Sequence, residues 1–298
     1  MARAFPLIAG GALIASAAVA QPAAKLLTPT DIIAQAPAAA WRTIPADDLL
    51  VMELGKGGRI VIQLAPEFAP VHVANIRALA RGGWWDGAAI YRVQDNYVAQ
   101  WGQGESERPF PQGVVAKPPA EYARPLRGLP VRPLGFVDPY APAAGYALGW
   151  PIGYSPRGGT ANLTHCYASI GVGRDLAPDT GSGGELYAVI GHGPRQLDRN
   201  IAVVGRVVEG IERLSSLPRG TGDLGFYKEG EPTTPIARIR LASQLPPAER
   251  PSFQYMDTKS ATFGRYVRLR ANRKDAFYER PAGGVDLCNA PVPVRKTP

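Results

Sequence analysis

Nucleophilic, metal and phosphate chemistry first show themselves in serine, histidine, cysteine and glycine-rich turns, and here each fails a spacing test. Gly153-Tyr154-Ser155-Pro156-Arg157 approaches the Gly-x-Ser-x-Gly turn that presents a nucleophilic serine, but Arg157 stands where a second glycine would let the turn close. Gly181-Ser182-Gly183-Gly184 lacks the Lys and Ser/Thr that end a phosphate-cradling loop, and strand-type residues follow it. His72, His165 and His192 have no metal-ligand spacing among themselves, so no metal site is expected. Cys166 and Cys288 are too few for an all-cysteine zinc site or a cluster.

The two cysteines read differently once the N-terminus is considered. Arg3 is followed by the apolar and small-residue stretch from Leu7 to Val19, and Ala18-Val19-Ala20 precedes Gln21 with small-x-small spacing. This predicts a signal peptide over residues 1–20 and an exported, periplasmic protein. A membrane anchor is the other reading, but the stretch is shorter than the roughly 20 residues a span requires. No later segment is apolar for long enough to span, so no membrane segment is expected after signal removal. In an oxidising compartment Cys166 and Cys288 either close a disulfide between the core and the C-terminal tail or remain two separate buried thiols; spacing does not choose.

A chain of 298 residues with 45% apolar and 19% charged residues has ample core material, which excludes a disordered polyelectrolyte. Its 33 Lys+Arg against 25 Asp+Glu give +8. Arg265, Arg268, Arg270, Arg273 and Lys274, interleaved with Tyr266, Val267 and Leu269, read as a basic, strand-like, solvated face. Arginine can neutralise phosphate, yet an exported chain rarely meets nucleic acid, so none is expected as a partner.

The 34 Gly and 30 Pro favour strands and turns over a helical bundle. Leu49 to Leu54 and Arg59 to Leu64 read as a hairpin across Gly55-Lys56-Gly57-Gly58, with Ile60, Ile62 and Leu64 on the buried face of a half-buried strand. Pro70, Val73, Ile76 and Ala80 mark a helix that Gly82-Gly83 stops. Strand-type residues return from Ala89 to Trp101, then at Tyr167–Gly173, Leu186–Ile190, Ile201–Val208 and Ile236–Leu241. Ile211, Leu214 and Leu217 space a second helix. Between Gly102 and Leu163 lies a Pro/Gly-rich stretch with little periodicity, too long for an ordinary loop and therefore read as an insertion. Two helices among short strands without βαβ alternation predict an antiparallel barrel or sandwich with helical caps.

These segments resemble the cyclophilin family of peptidyl-prolyl cis-trans isomerases. The resemblance runs from "GRIVIQLAPEFAPVHVANIRALA" through "AIYRVQDNYVAQWG", "ASIGVG" and "SGGELYAVIG" to "LDRNIAVVGRVVEGIERL". It implies a mainly β, cyclophilin-like closed antiparallel barrel capped by two helices over residues 47–245. A Pro/Ala-rich lead (21–46), an insertion at about 104–163 and a basic C-terminal extension (246–298) surround it. By the same resemblance Arg92 is the catalytic residue. Tyr97, Val98, Gln100, Gly171, Val172, Glu185, Tyr187, Gln196, Leu197 and Ile201 are the substrate-binding positions. Val172, Glu185, Gln196 and Ile201 stand where the family often has Asn, Gln, Trp and His, which alters the substrate rim.

The implied activity is rotation about X-Pro bonds of exported, proline-containing polypeptides by a monomer, with no cofactor. A catalytically weak binding or chaperone module is the alternative, and a basic protein that binds anionic surfaces is a third. For Glu185 two dispositions are open. It either pairs with Arg92, in which case Glu185→Gln should raise the specificity constant modestly, or it points to solvent.

Overall fold

At Gly57 and Gly58 φ is +86° and +115°, a region that side chains with a Cβ rarely adopt, and the chain folds back there. The hairpin of β1 (Leu49–Leu54) and β2 (Arg59–Leu64) results. The computed structural model describes residues 1, 26–104, 108–275 and 277–297. Apart from Met1, the expected signal segment 1–20 lies outside them. Among the described residues no helix is long and apolar enough to cross a membrane.

Helix α1 (Pro70–Arg81) starts on a proline, which suits a first turn whose N–H would be unpaired anyway. It turns Val73, Ile76, Leu79 and Ala80 into the barrel core. There follow β3 (Ala89–Val93), β4 (Val98–Gly102), β5 (Ser169–Val172), β6 (Leu186–Val189), β7 (Val203–Glu209), the short α2 (Ile211–Ser215) and β8 (Thr234–Leu241). The eight strands close a barrel in the order β5-β6-β4-β3-β8-β1-β2-β7, with every pairing antiparallel. Trp85, Trp101, Met52, Ile60, Ile62 and Leu214 are among the fully buried side chains that fill it.

Two expectations are corrected, for the faces of β2 and for the tail, and the insertion gains a structure that its sequence did not show. The strand β2 is covered on both faces, because Val61 packs outward against Ile44, Leu49, Leu245 and Phe253. The stretch between Gly102 and Leu163 is not structureless. It holds a five-stranded sheet in the order Arg124–Pro125, Thr160–Leu163, Trp150–Ser155, Ala143–Ala147, Arg132–Pro133. Two of these strands are only two residues long, Ala143–Ala147 is mostly Ala and Gly, and Pro151 and Gly153 interrupt Trp150–Ser155, which hides their period. The basic tail is a helix, Ala261–Ala271, whose N-cap Ser260 accepts from the Phe263 amide. Phe263, Tyr266, Val267 and Ala271 recur at helical spacing and are buried, while Arg265 and Arg268 stay in water.

Lead, insertion and tail then share one core: Ile32 and Trp41 pack with Tyr146 of the insertion and with Met256, Phe263 and Leu287 of the tail. The strand Trp41–Thr43 pairs with Phe253–Met256, which also pairs with Val294–Lys296. Cys166 and Cys288 form a disulfide, Cα–Cα 5.2 Å, 122 residues apart. Beside it the fully buried Arg195 donates to Asp198 of the barrel chain (2.8 Å) and to both oxygens of Asp138 of the insertion (2.9 and 3.0 Å). Each of those carboxylates is therefore neutralised where water cannot reach it.

Candidate active site

One extra residue in β3 decides where the polar side chains go. Ile90 pairs with Trp101 and Arg92 with Gln100, so a bulge separates them and Tyr91 has no partner of its own on β4. Ile90 and Val93 are buried in the core, while Tyr91 and Arg92 both remain half-buried at the barrel's outer surface. The Arg92 guanidinium is held on three sides. Its Nε donates to the Leu224 carbonyl (2.8 Å), Nη1 to Gln100 Oε1 (3.0 Å) and Nη2 to Gln94 Oε1 (2.7 Å). It lies 5.2 Å from the centre of the Phe226 ring and 6.0 Å from that of Tyr97. Burial lowers its pKa, but a guanidinium remains charged at neutral pH.

Beside it is an apolar cluster on the outer faces of β4 and β6. Val98, Tyr187 and Val189 are buried, and Tyr97, Leu197 and Ile201 pack against them. Tyr187 reaches across Gly171, where a Cβ would come within 2.2 Å of the ring. Its hydroxyl meets His165 Nε2 (3.0 Å), and His165 Nδ1 meets Asp198 Oδ1 (2.9 Å), so the ring is braced from behind.

Two expected positions do not join this surface. Val172 turns its side chain into the barrel core, because alternation along β5 sends Gly171 outward and Ile170 and Val172 inward, with a bulge at Ile170/Gly171. Gln196 is exposed, on the 3-10 turn that also carries Leu197.

Glu185 overturns both of its expected dispositions. It neither pairs with Arg92 nor points to solvent. Oε2 accepts from the Tyr91 hydroxyl (2.5 Å), and Oε1 from the amides of Gln103 (2.8 Å) and Gly104 (3.1 Å). It lines a cavity of about 520 Å³ together with Tyr91, Gln100, Gly173, Arg174 and Phe226. Burial pushes its pKa from 4.5 to about 7, against the opposing pull of the three hydrogen bonds. Tyr91, Gln94, Leu224 and Phe226 are the participants that sequence reasoning missed. Tyr91 and Gln94 flank Arg92 in "YRVQ" and could have been found there; the 224–226 turn had no signal.

A pH effect on stability follows. Between about pH 4.5 and 7 the folded chain holds a proton that the unfolded chain has released, so stability declines as pH rises through that window. The contribution is on the order of 3 kcal/mol. Denaturation midpoints should fall more steeply with pH in the wild type than in Glu185→Gln; parallel curves would refute it.

A charged, immobilised donor thus stands beside an apolar pocket on the outside of a closed barrel, a geometry suited in shape and polarity to a ring with an adjacent carbonyl or amide group. The family model "Cyclophilin type peptidyl-prolyl cis-trans isomerase/CLD" matches residues 49–242, which contain all eight barrel strands. The chain belongs to the cyclophilin-type peptidyl-prolyl cis-trans isomerase family and is a peptidyl-prolyl isomerase. A protein of Brucella suis biovar 1 (strain 1330) is 25% identical over 179 residues, 59% of this chain and 74% of its own length. One of Brucella abortus (strain 2308) is 24% identical over the same shares. Each bears the name "Probable peptidyl-prolyl cis-trans isomerase". The crystal structure of cyclophilin AquaCyp293 from Hirschia baltica matches with a TM-score of 0.68 at 23% identity, covering 91% of this chain and 98% of that one. That fold likeness extends beyond the barrel.

Proposed function

We propose that this isomerase acts on X-Pro bonds of exported proteins, with Arg92 as its catalytic residue. Rotation faces a barrier of about 18–20 kcal/mol because it breaks the conjugation of the amide nitrogen with the carbonyl. A donor aimed at the prolyl nitrogen stabilises the twisted, pyramidal amide more than the planar one, and that difference is the catalysis. A guanidinium has five N–H groups; three of those on Arg92 are engaged, leaving one on Nη1 and one on Nη2 for substrate. Tyr97, Val98, Tyr187, Leu197 and Ile201 hold the proline ring, and Gln100 offers its remaining amide N–H to the substrate backbone. No covalent intermediate is needed. The three-sided grip on Arg92 beside that pocket carries the reading.

Export is supported by the small and apolar residues 7–20, and by the disulfide, a bond that persists in oxidising compartments. Coupled isomerisation of short X-Pro peptides tests the activity. Intact mass of the mature protein tests export: it should begin at Gln21, and a mature form that retains residues 1–20 would end that part of the reading.

A further inference from the structure

Between Glu185 and Arg92 runs an unbroken line of hydrogen bonds with an acceptor-only carboxylate at one end and a donor-only guanidinium at the other, so every direction along it agrees. A carboxylate can only accept. The Tyr91 hydroxyl must therefore donate its single proton to Glu185 Oε2, which leaves its oxygen free to accept from Gln100 Nε2 at 2.8 Å. Gln100 thereby has its NH₂ turned toward Tyr91 and its carbonyl oxygen toward Arg92, where it accepts from Nη1. We infer that Glu185 is a positioning residue, which orients the Arg92 guanidinium by setting the direction of the hydrogen bonds through Tyr91 and Gln100. The inference rests on Arg92 being the catalytic group.

A donor at position 185 sets the two ends of the line against each other. A glutamine at position 185 has one oxygen and one NH₂. The oxygen belongs opposite the Gln103 and Gly104 amides, since an NH₂ there would face two N–H donors. Its NH₂ then donates to Tyr91, and under the inference the displaced Tyr91 proton turns to Gln100 in competition with Arg92 for the Gln100 oxygen. The Gln100 amide flips and presents NH₂ to Arg92, donor against donor, and the guanidinium loses one of its three anchors. A protonated Glu185 has the same donor pattern as glutamine, and its raised pKa brings that form near neutrality.

Arg174, Asp175 and Asp179 also line the cavity. Arg174 donates to the Asn200 and Asp175 carbonyls, and Asp179 accepts from the Asp175 and Gly181 amides. Asp175 lines the same cavity, and Arg92 lies beside Tyr91 on β3.

The experiment measures kcat and KM on an X-Pro peptide, from about pH 5.5 to 8.5, for wild type, Glu185→Gln, Tyr91→Phe and the double variant. Glu185→Gln should lower kcat about tenfold with KM little changed, the factor one redirected hydrogen bond is worth. In the Tyr91→Phe background the same substitution should change nothing further. Wild-type kcat should rise with pH through about 7, and both single variants should be flat there. An unchanged or raised kcat in Glu185→Gln overturns the inference, as does an equal loss with and without the Tyr91 hydroxyl. If Glu185→Gln does not fold by circular dichroism, Tyr91→Phe decides: a wild-type pH profile in that variant refutes the line. Arg92→Ala separates the two levels. Should it leave turnover intact, the catalytic reading has failed; should it abolish turnover while the other effects simply add, only this inference has.

Discussion

Arg92→Ala is expected to lower kcat/KM for X-Pro peptides by about a hundredfold while the barrel stays folded. Loss of one preorganised donor from a partly desolvated site typically costs about 10² to 10³ in rate. The fold should tolerate the change, because the Arg92 side chain is half-buried at the outer surface and its partners Gln94, Gln100 and the Leu224 carbonyl can turn to water. Lysine should restore little: a single ammonium cannot reach three acceptors in a plane and still present a donor to the substrate. The coupled peptide assay, with circular dichroism as the control, measures this. Equal rates for variant and wild type would remove Arg92 from the chemistry and leave a binding or chaperone module as the better reading.

Replacing both Cys166 and Cys288 with serine should have the largest effect on stability. The bond closes 122 residues, and the chain-entropy relation for a loop of that length gives about 5 kcal/mol. The tail that Cys288 anchors supplies Met256, Phe263, Tyr266 and Leu287 to the core shared with the lead and the insertion. Without the bond that core must hold by packing, by the pairing of Trp41–Thr43 with Phe253–Met256 and by polar contacts such as that of the Tyr146 hydroxyl with the Ala290 carbonyl. Guanidinium denaturation of the oxidised wild type against the double serine variant should show the difference as a lower midpoint. Coincident curves would mean that the unfolded chain gains no freedom from the cut.

Local pattern carried much of the barrel. The glycine turn at 55–58, the alternation of Ile60, Ile62 and Leu64, and the helical spacing of Val73, Ile76 and Ala80 are short-range signals. Each is expressed within one element and needs no partner to be read. The cyclophilin-like motifs named Arg92, Tyr97, Val98, Gln100, Tyr187, Leu197 and Ile201, which the fold brings to one patch. The tail shows how a short-range signal is misread. Tyr266, Val267 and Leu269 between arginines look like alternation, but Phe263 and Ala271 extend the apolar positions at helical spacing, and the wider window is decisive.

What no window contains is the contact between distant segments. Neither Trp41, Tyr146 nor Phe263 indicates that lead, insertion and tail build one core, because apolar side chains are non-directional and any of them could cover any face. Whether Cys166 meets Cys288 depends on a distance of 5.2 Å between residues 122 apart, and that distance is a property of the folded chain. The site follows the same division. Composition and motif supplied an arginine, a glutamine and a carboxylate, but the charge sign of Glu185 suggested a partnership with Arg92 that the geometry does not make. The bulge at Tyr91 places a hydroxyl where the carboxylate can take it, and backbone amides at Gln103 and Gly104 occupy its other oxygen. Hydrogen bonds depend on direction and reach, and both are decided only when β3, β4 and β6 have closed side by side.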